Sequence, residues 1–168
     1  MKKNILFKFT KYLFVALFIM PAFLPSNVFA EKVSFVGAGI GVAGILDDGK
    51  IMFGSIEFRP GFEIYRLRPW IGIEIADKIF YAALGILVDF NITDQLSIIP
   101  SFGAGFFKAD DGIELGSSLE FKSALEICYS FNKQRKLGIS FGHISNGGID
   151  EINPGSEFIR IIYYFSFF

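Results

Sequence analysis

The segment His143-Ile144-Ser145-Asn146-Gly147-Gly148 contains the single histidine of this 168-residue chain, and Glu157 follows it after a short loop. If the segment is a strand, side chains alternate between its faces, so His143 and Ser145 share one. An acid, an imidazole and a hydroxyl brought together make a hydrolase. His143 would take the proton of Ser145, Glu157 would set the imidazole tautomer and steady its positive charge, and the serine oxygen would attack an acyl carbonyl. Asn146 and the N–H groups around Gly147 and Gly148 are the matching oxyanion donors. A His-x-Ser tripeptide is a weak motif by itself, because an interface histidine beside an ordinary strand-end hydroxyl has the same spelling. Asp150 and Glu151, in the same loop, compete with Glu157 as the orienting acid.

Strands are the elements available to position this trio. The chain is 52% hydrophobic and 17% aromatic, with 22 Phe and 18 Gly, which excludes a disordered polymer and at this length predicts one domain. Apolar pieces alternate with turn chemistry at Asp47-Asp48-Gly49-Lys50, Asn91-Ile92-Thr93-Asp94, Ala109-Asp110-Asp111-Gly112 and Asn132-Lys133-Gln134-Arg135. Hairpins in series follow, with eight strands expected at 33–45, 51–66, 69–76, 79–90, 95–107, 117–131, 135–145 and 157–168.

The faces of these strands are sharply divided. In the sixth, Leu119, Phe121, Leu125, Ile127, Tyr129 and Phe131 oppose Glu120, Lys122, Ala124, Glu126, Cys128 and Ser130. In the fourth, the apolar face runs from Phe80 through Leu84 and Val88 to Phe90. Strand seven puts His143 and Ser145 in line with Leu137, Ile139 and Phe141; strand eight puts Glu157 in line with Ile159, Ile161 and Tyr163, opposite Arg160. A soluble sandwich and an inside-out membrane barrel both fit such alternation. Three cues favour an eight-stranded antiparallel transmembrane β-barrel: an export signal, an even strand count, and the aromatic end Tyr163-Tyr164-Phe165-Ser166-Phe167-Phe168. Closure would also remove sheet edges that so apolar a chain could not safely expose.

In that barrel the loops 46–50, 76–79, 108–116 and 146–156 lie outside, and short turns near 67–68, 91–94 and 132–134 lie inside. His143, Ser145 and Glu157 then face lipid near the outer rim, where polar side chains are costly without a function. Glu57, Glu74, Glu120, Lys122, Glu126 and Arg160 face the lumen as a paired network. The parity of Arg160, Ser166 and Phe168 places the last Phe inward, so either Phe167 serves as the terminal aromatic or a bulge shifts the register there.

Residues 1–30 read as a signal peptide: Lys2, Lys3, Lys8 and Lys11 precede an apolar stretch from Tyr12 to Leu24, then Val28-Phe29-Ala30 before cleavage at Glu31. The barrel is expected from 31 to 168. Formal net charge is −1, and without those four lysines twelve basic residues stand against seventeen acidic ones, a net of −5. Nucleic acid is therefore not the expected partner. Cys128 is the only cysteine, so no internal disulfide forms, and no metal or cofactor is called for. Gly39-Ile40-Gly41-Val42-Ala43-Gly44 spells a dinucleotide fingerprint but lies in a strand and opens no helix.

The run from His143 to Gly148, then Asn153-Pro154-Gly155 and Glu157, resembles the signature of the lipid A 3-O-deacylases, the PagL-type acyloxyacyl hydrolases. The resemblance extends upstream through Arg68-Pro69-Trp70-Ile71-Gly72, Pro100-Ser101-Phe102-Gly103-Ala104-Gly105 and Leu115-Gly116-Ser117-Ser118-Leu119-Glu120-Phe121. It implies an eight-stranded barrel of the bacterial outer membrane that hydrolyses the 3-position ester-linked acyl chain of lipid A in lipopolysaccharide. It also implies His143, Ser145 and Glu157 as catalytic residues, with Asn146 and Gly148 at the oxyanion hole. Three rivals stand beside this reading: a noncatalytic barrel serving as anchor or adhesin, an acyltransferase, and a soluble exported sandwich. Oligomeric state is open, with a homodimer as one option.

Overall fold

A computed structural model describes residues 33–47, 49–110 and 115–166. The expected signal peptide and the final Phe167 and Phe168 lie outside the described residues, as does the question of which aromatic ends the last strand.

Hydrophobic alternation becomes a continuous antiparallel sheet. Its segments are β1 (Phe35–Ala43), β2 (Ile51–Arg59), β3 (Arg68–Ala76), β4 (Ile79–Leu87), β5 (Phe90–Asn91), β6 (Leu96–Ala109), β7 (Leu119–Ser130), β8 (Arg135–Ser145) and β9 (Ser156–Phe165). Neighbours in the chain pair, except that β4 and β5 both pair with β6, and β1 also pairs with β9, from Val36 against Phe165 to Ala43 against Phe158. That last ladder closes the barrel. Segments β4 and β5 form one line: Leu87 pairs with Ser101 and Phe90 with Ile98 in unbroken register. The interruption falls opposite Pro100, whose carbonyl accepts the Val88 N–H at 3.1 Å but which has no N–H to return. Eight lines therefore surround the lumen, as expected.

Closure decides between the two readings of the alternation. Ile40, Met52 and Leu84 are 64%, 72% and 66% exposed, whereas Glu120, Lys122 and Arg160 are 0%, 4% and 5% exposed. Charge inside and aliphatic side chains outside is the arrangement of a membrane barrel. Val88 departs from its expected outward parity and is buried where its strand passes Pro100.

Eight strands leave a lumen only wide enough for side chains, so large residues need small ones opposite. Tyr164 packs over Gly37, Trp70 over Gly103, and Phe158 against Gly142. The dinucleotide-like glycines belong to this scheme, since Gly39 and Gly41 lie in β1 against Ile162 and Phe53. At the centre Arg59 grips both oxygens of Glu126, at 3.0 and 3.1 Å, and donates to Glu57 at 2.6 Å. Arg160 donates to the other Glu57 oxygen at 2.9 Å, Lys122 pairs with Glu74, and the Tyr164 hydroxyl donates to Glu126 at 2.8 Å. Arg59 and Tyr164 were not foreseen in this network. Glu120, which was, stands apart from these ion pairs: among the described residues neither of its buried carboxylate oxygens meets a partner at hydrogen-bond geometry. The three cations that meet here are already matched by Glu57, Glu74 and Glu126.

One connection differs from expectation. The second strand stops at Arg59 instead of 66, because Pro60 cannot continue the ladder. Residues 60–67 form a longer turn in which Ile64 and Leu67 exchange both backbone hydrogen bonds at 2.9 Å. Tyr65 and Arg66 between them have φ of 50° and 67°, the positive values that a tight I′ hairpin turn requires at both central positions. At the other end, the β3–β4 connection is only Asp77-Lys78.

Candidate active site

The outer ends of β8 and β9 bring the acid and the imidazole together. His143 and Glu157 are direct cross-strand partners, and Nδ1 of His143 lies 3.3 Å from Oε1 of Glu157. Both side chains are about one-third exposed on the outer face of the barrel, level with exposed Phe141 and Ile159. Such a separation is long for a hydrogen bond and is common in catalytic pairs before substrate binds. Neither Asp150 nor Glu151 forms an ion pair with His143 among the described residues: both are exposed in the loop, where the Asp150 carboxylate accepts the Glu151 N–H at 2.7 Å.

Ser145 lies on the same outward face, two residues or about 6.8 Å of strand rise further toward the loop end. Its hydroxyl makes no hydrogen bond among the described residues, to His143 or otherwise. Across the ladder it faces Phe121, whose ring stacks on Phe102 with centroids 6.0 Å apart and an 11° tilt. The site thus borders an aromatic surface. The partner of His143 on that side is Ser123, a half-buried hydroxyl. Sequence reasoning did not single out Ser123, because only the register of two distant strands reveals it.

Asn146 follows Ser145 and turns inward, fully buried. Its side-chain amide donates to the carbonyls of Leu115, at 3.2 Å, and Ile152, at 2.7 Å. Its side-chain oxygen accepts the Gly148 N–H at 2.9 Å, and its own N–H donates to Asn153 Oδ1 at 3.1 Å. Asn146 is therefore a clasp between the two loops that flank the site. Gly116 keeps this clasp tight: with φ of +93°, a Cβ there would collide with the Ile152 carbonyl. In this arrangement the backbone donors of Asn146 and Gly148 are both occupied within the loop. The Gly147 N–H between them has no acceptor among the described residues, and its backbone passes beside the Phe121 ring.

Among the described residues, no group of three or more His, Cys, Asp or Glu side chains could hold a metal. An apolar cavity of about 70 Å³ lies inside the barrel mouth between Phe53, Tyr81, Phe107, Leu115, Ile144 and Phe158. It belongs to the lumen, whereas His143, Ser145 and Glu157 face outward.

Comparison with known proteins joins this geometry to a family. The lipid A deacylase PagL of Bordetella bronchiseptica is 28% identical over 53 residues, which is 32% of this chain and 30% of that protein. The matched segment thus spans under a third of that relative. The crystal structure of the outer membrane enzyme PagL superposes with a TM-score of 0.61 at 19% identity, covering 78% of this chain and 98% of that one. Neisserial surface protein A superposes almost as well, with a TM-score of 0.60 at 13% identity, covering 80% and 97%. Both likenesses establish the outer-membrane barrel fold, and neither bears on a homodimer. The model of the family lipid A 3-O-deacylase (PagL) matches residues 80–166, a stretch that holds β6 to β9 and the whole outward cluster. By that match, this chain belongs to the lipid A 3-O-deacylase (PagL) family.

Proposed function

We propose that this protein is an outer-membrane esterase that hydrolyses the 3-position ester-linked acyl chain of lipid A by a Ser-His-Glu mechanism. The observation that carries the reading is the outward pairing of His143 with Glu157, in line with Ser145, on the lipid-facing side of a barrel of this family. Shape alone would not separate it from a noncatalytic barrel, since the likeness to the Neisserial surface protein is nearly as strong. An imidazole paired with a carboxylate at the membrane face has no scaffolding use there and is expensive to keep.

Location supports the chemistry. Acyl chains of lipopolysaccharide already lie beside the barrel wall, so the substrate reaches Ser145 laterally, without extraction from the leaflet. Phe121 and Phe102 offer an apolar surface along which a chain can rest next to the serine. His143, its Nδ1–H directed at Glu157, uses Nε2 to take the Ser145 proton as Oγ attacks the ester carbonyl. The charge on the tetrahedral oxygen is met by N–H groups of the Asn146-Gly147-Gly148 turn. Gly147 supplies the unengaged donor, and Gly148 joins once it releases the Asn146 side chain. Collapse of the adduct returns the proton through His143 to the departing sugar oxygen. Water, activated by the same imidazole, then cleaves the acyl-serine to a free fatty acid and restores the enzyme.

Mass spectrometry of lipid A incubated with the refolded barrel and with Ser145→Ala tests this. Loss of one ester-linked acyl chain to the parent alone, with release of free fatty acid, is the expected result. A newly acylated lipid in place of fatty acid would make the protein a transferase. No loss to a correctly folded parent would leave the barrel an anchor or adhesin.

A further inference from the structure

Two demands meet at the imidazole of His143: one nitrogen must face Glu157 and the other must reach Ser145. With Nδ1 held beside Glu157, the Cε1–Nε2 edge of the ring is directed elsewhere, and Gly155 lies close against it. The register explains why. The β8–β9 ladder runs from His143 against Glu157 to Ile144 against Ser156, and one further step sets position 155 across from Ser145. Position 155 also has the parity of Glu157, so a side chain there would stand on the outer surface beside the serine hydroxyl. A Cβ built on Gly155 would lie 2.5 Å from Cε1 and 2.9 Å from Nε2 of His143, well inside the separation at which unbonded atoms rest.

We propose that Gly155 is a positioning residue of this site: its bare Cα forms the wall against which the imidazole edge lies and keeps the approach from Nε2 to Ser145 clear. The proposal deepens the Ser-His-Glu reading and rests on it. Gly155 has a second feature, a φ of +67°, which by itself would favour glycine for the turn. Space and backbone make separable demands. Asn tolerates positive φ far better than Ala does, yet both carry a Cβ.

The experiment compares Gly155→Ala and Gly155→Asn with the parent in detergent micelles, folding being checked by heat-modifiable gel mobility. Because His143 is the only histidine in the chain, ¹⁵N-histidine labelling reports this ring without interference. The expected result is that both variants shift the imidazole nitrogen signals, and that kcat on lipid A falls about 100-fold with KM little changed, the scale of a catalytic group displaced by an ångström or so. Parent-level turnover by Gly155→Asn where Gly155→Ala is impaired would assign the glycine to the backbone and overturn the proposal. A folded, inactive variant with a parent-like imidazole spectrum would overturn it too. Should the parent release no acyl chain, the deacylase reading is what fails, and the imidazole spectra still decide whether Gly155 positions the ring.

Discussion

Glu157 is the residue on which the chemistry is most exposed to test. It stands 3.3 Å from His143, while Asp150 and Glu151 point into solvent. Glu157→Gln keeps the shape and removes the charge that sets the tautomer, so turnover should fall by roughly 10³- to 10⁴-fold. Asp150→Asn and Glu151→Gln should leave it at the parent level. Initial rates of fatty-acid release across the three variants check this, and the opposite ranking would move the orienting acid into the loop. Spacing in the chain brought His143, Ser145 and Glu157 forward as candidates and left the acid ambiguous. Only the β8–β9 register shows which acid stands beside the imidazole, because a loop of variable path intervenes between the histidine and every acid that follows it.

At the scale of the element, the β8–β9 loop is held by one side chain. Asn146 satisfies two carbonyls and one N–H with its amide, and it is fully buried. Asn146→Ala would orphan the Leu115 and Ile152 carbonyls and the Gly148 N–H, each worth about 1–3 kcal/mol when left unpaired out of water. Urea unfolding in micelles should show a loss in that range or above it. Faster hydrogen exchange should appear at residues 146–153, with little change in the strands. The sequence reading assigns Asn146 to the oxyanion hole, first from the residues beside Ser145 and again through the family resemblance. Its place in the described structure is that of a clasp, which a sequence could not disclose, because its acceptors lie in another loop and six residues onward. The same scale explains the misjudged second strand. Hydrophobic residues continue past Arg59 to Leu67, but Pro60 and the positive φ of Tyr65 and Arg66 turn that stretch into a hairpin end.

Across the whole molecule, the barrel makes opposite demands on its two faces. Arg59, Arg160 and Lys122 are matched by Glu57, Glu74 and Glu126, so removing one partner leaves a buried charge bare. Glu126→Ala should destabilise the fold by about 3–5 kcal/mol. Glu120 makes the contrasting case, since among the described residues no cation pairs with its buried carboxyl, and Glu120→Gln should raise the unfolding midpoint. Equilibrium unfolding of both variants checks the pair, and a loss of stability in Glu120→Gln would reveal a partner for that carboxyl. On the lipid face, Ile161→Arg should cost about 2–4 kcal/mol and slow insertion into vesicles, because it places an unpaired charge against hydrocarbon.

What the sequence determined by itself was local and periodic: the strands, their turns, the split of each strand into an apolar and a polar face, and the His-x-Ser pair on one of them. These follow from rules that act between neighbours in the chain. Which face was the inside did not follow, because alternation has the same form in a sandwich and in a barrel turned inside out. The pairing of β1 with β9 decided it, by closing the sheet around Arg59, Glu126 and Arg160 and leaving Ile40, Leu84 and Ile161 on the outside. Tertiary structure alone also paired Glu157 with His143, matched the lumen charges, left Glu120 out of those ion pairs and set Gly155 against the imidazole. Each of those depends on a contact between strands, and register between strands is a property of the closed sheet, not of any one segment.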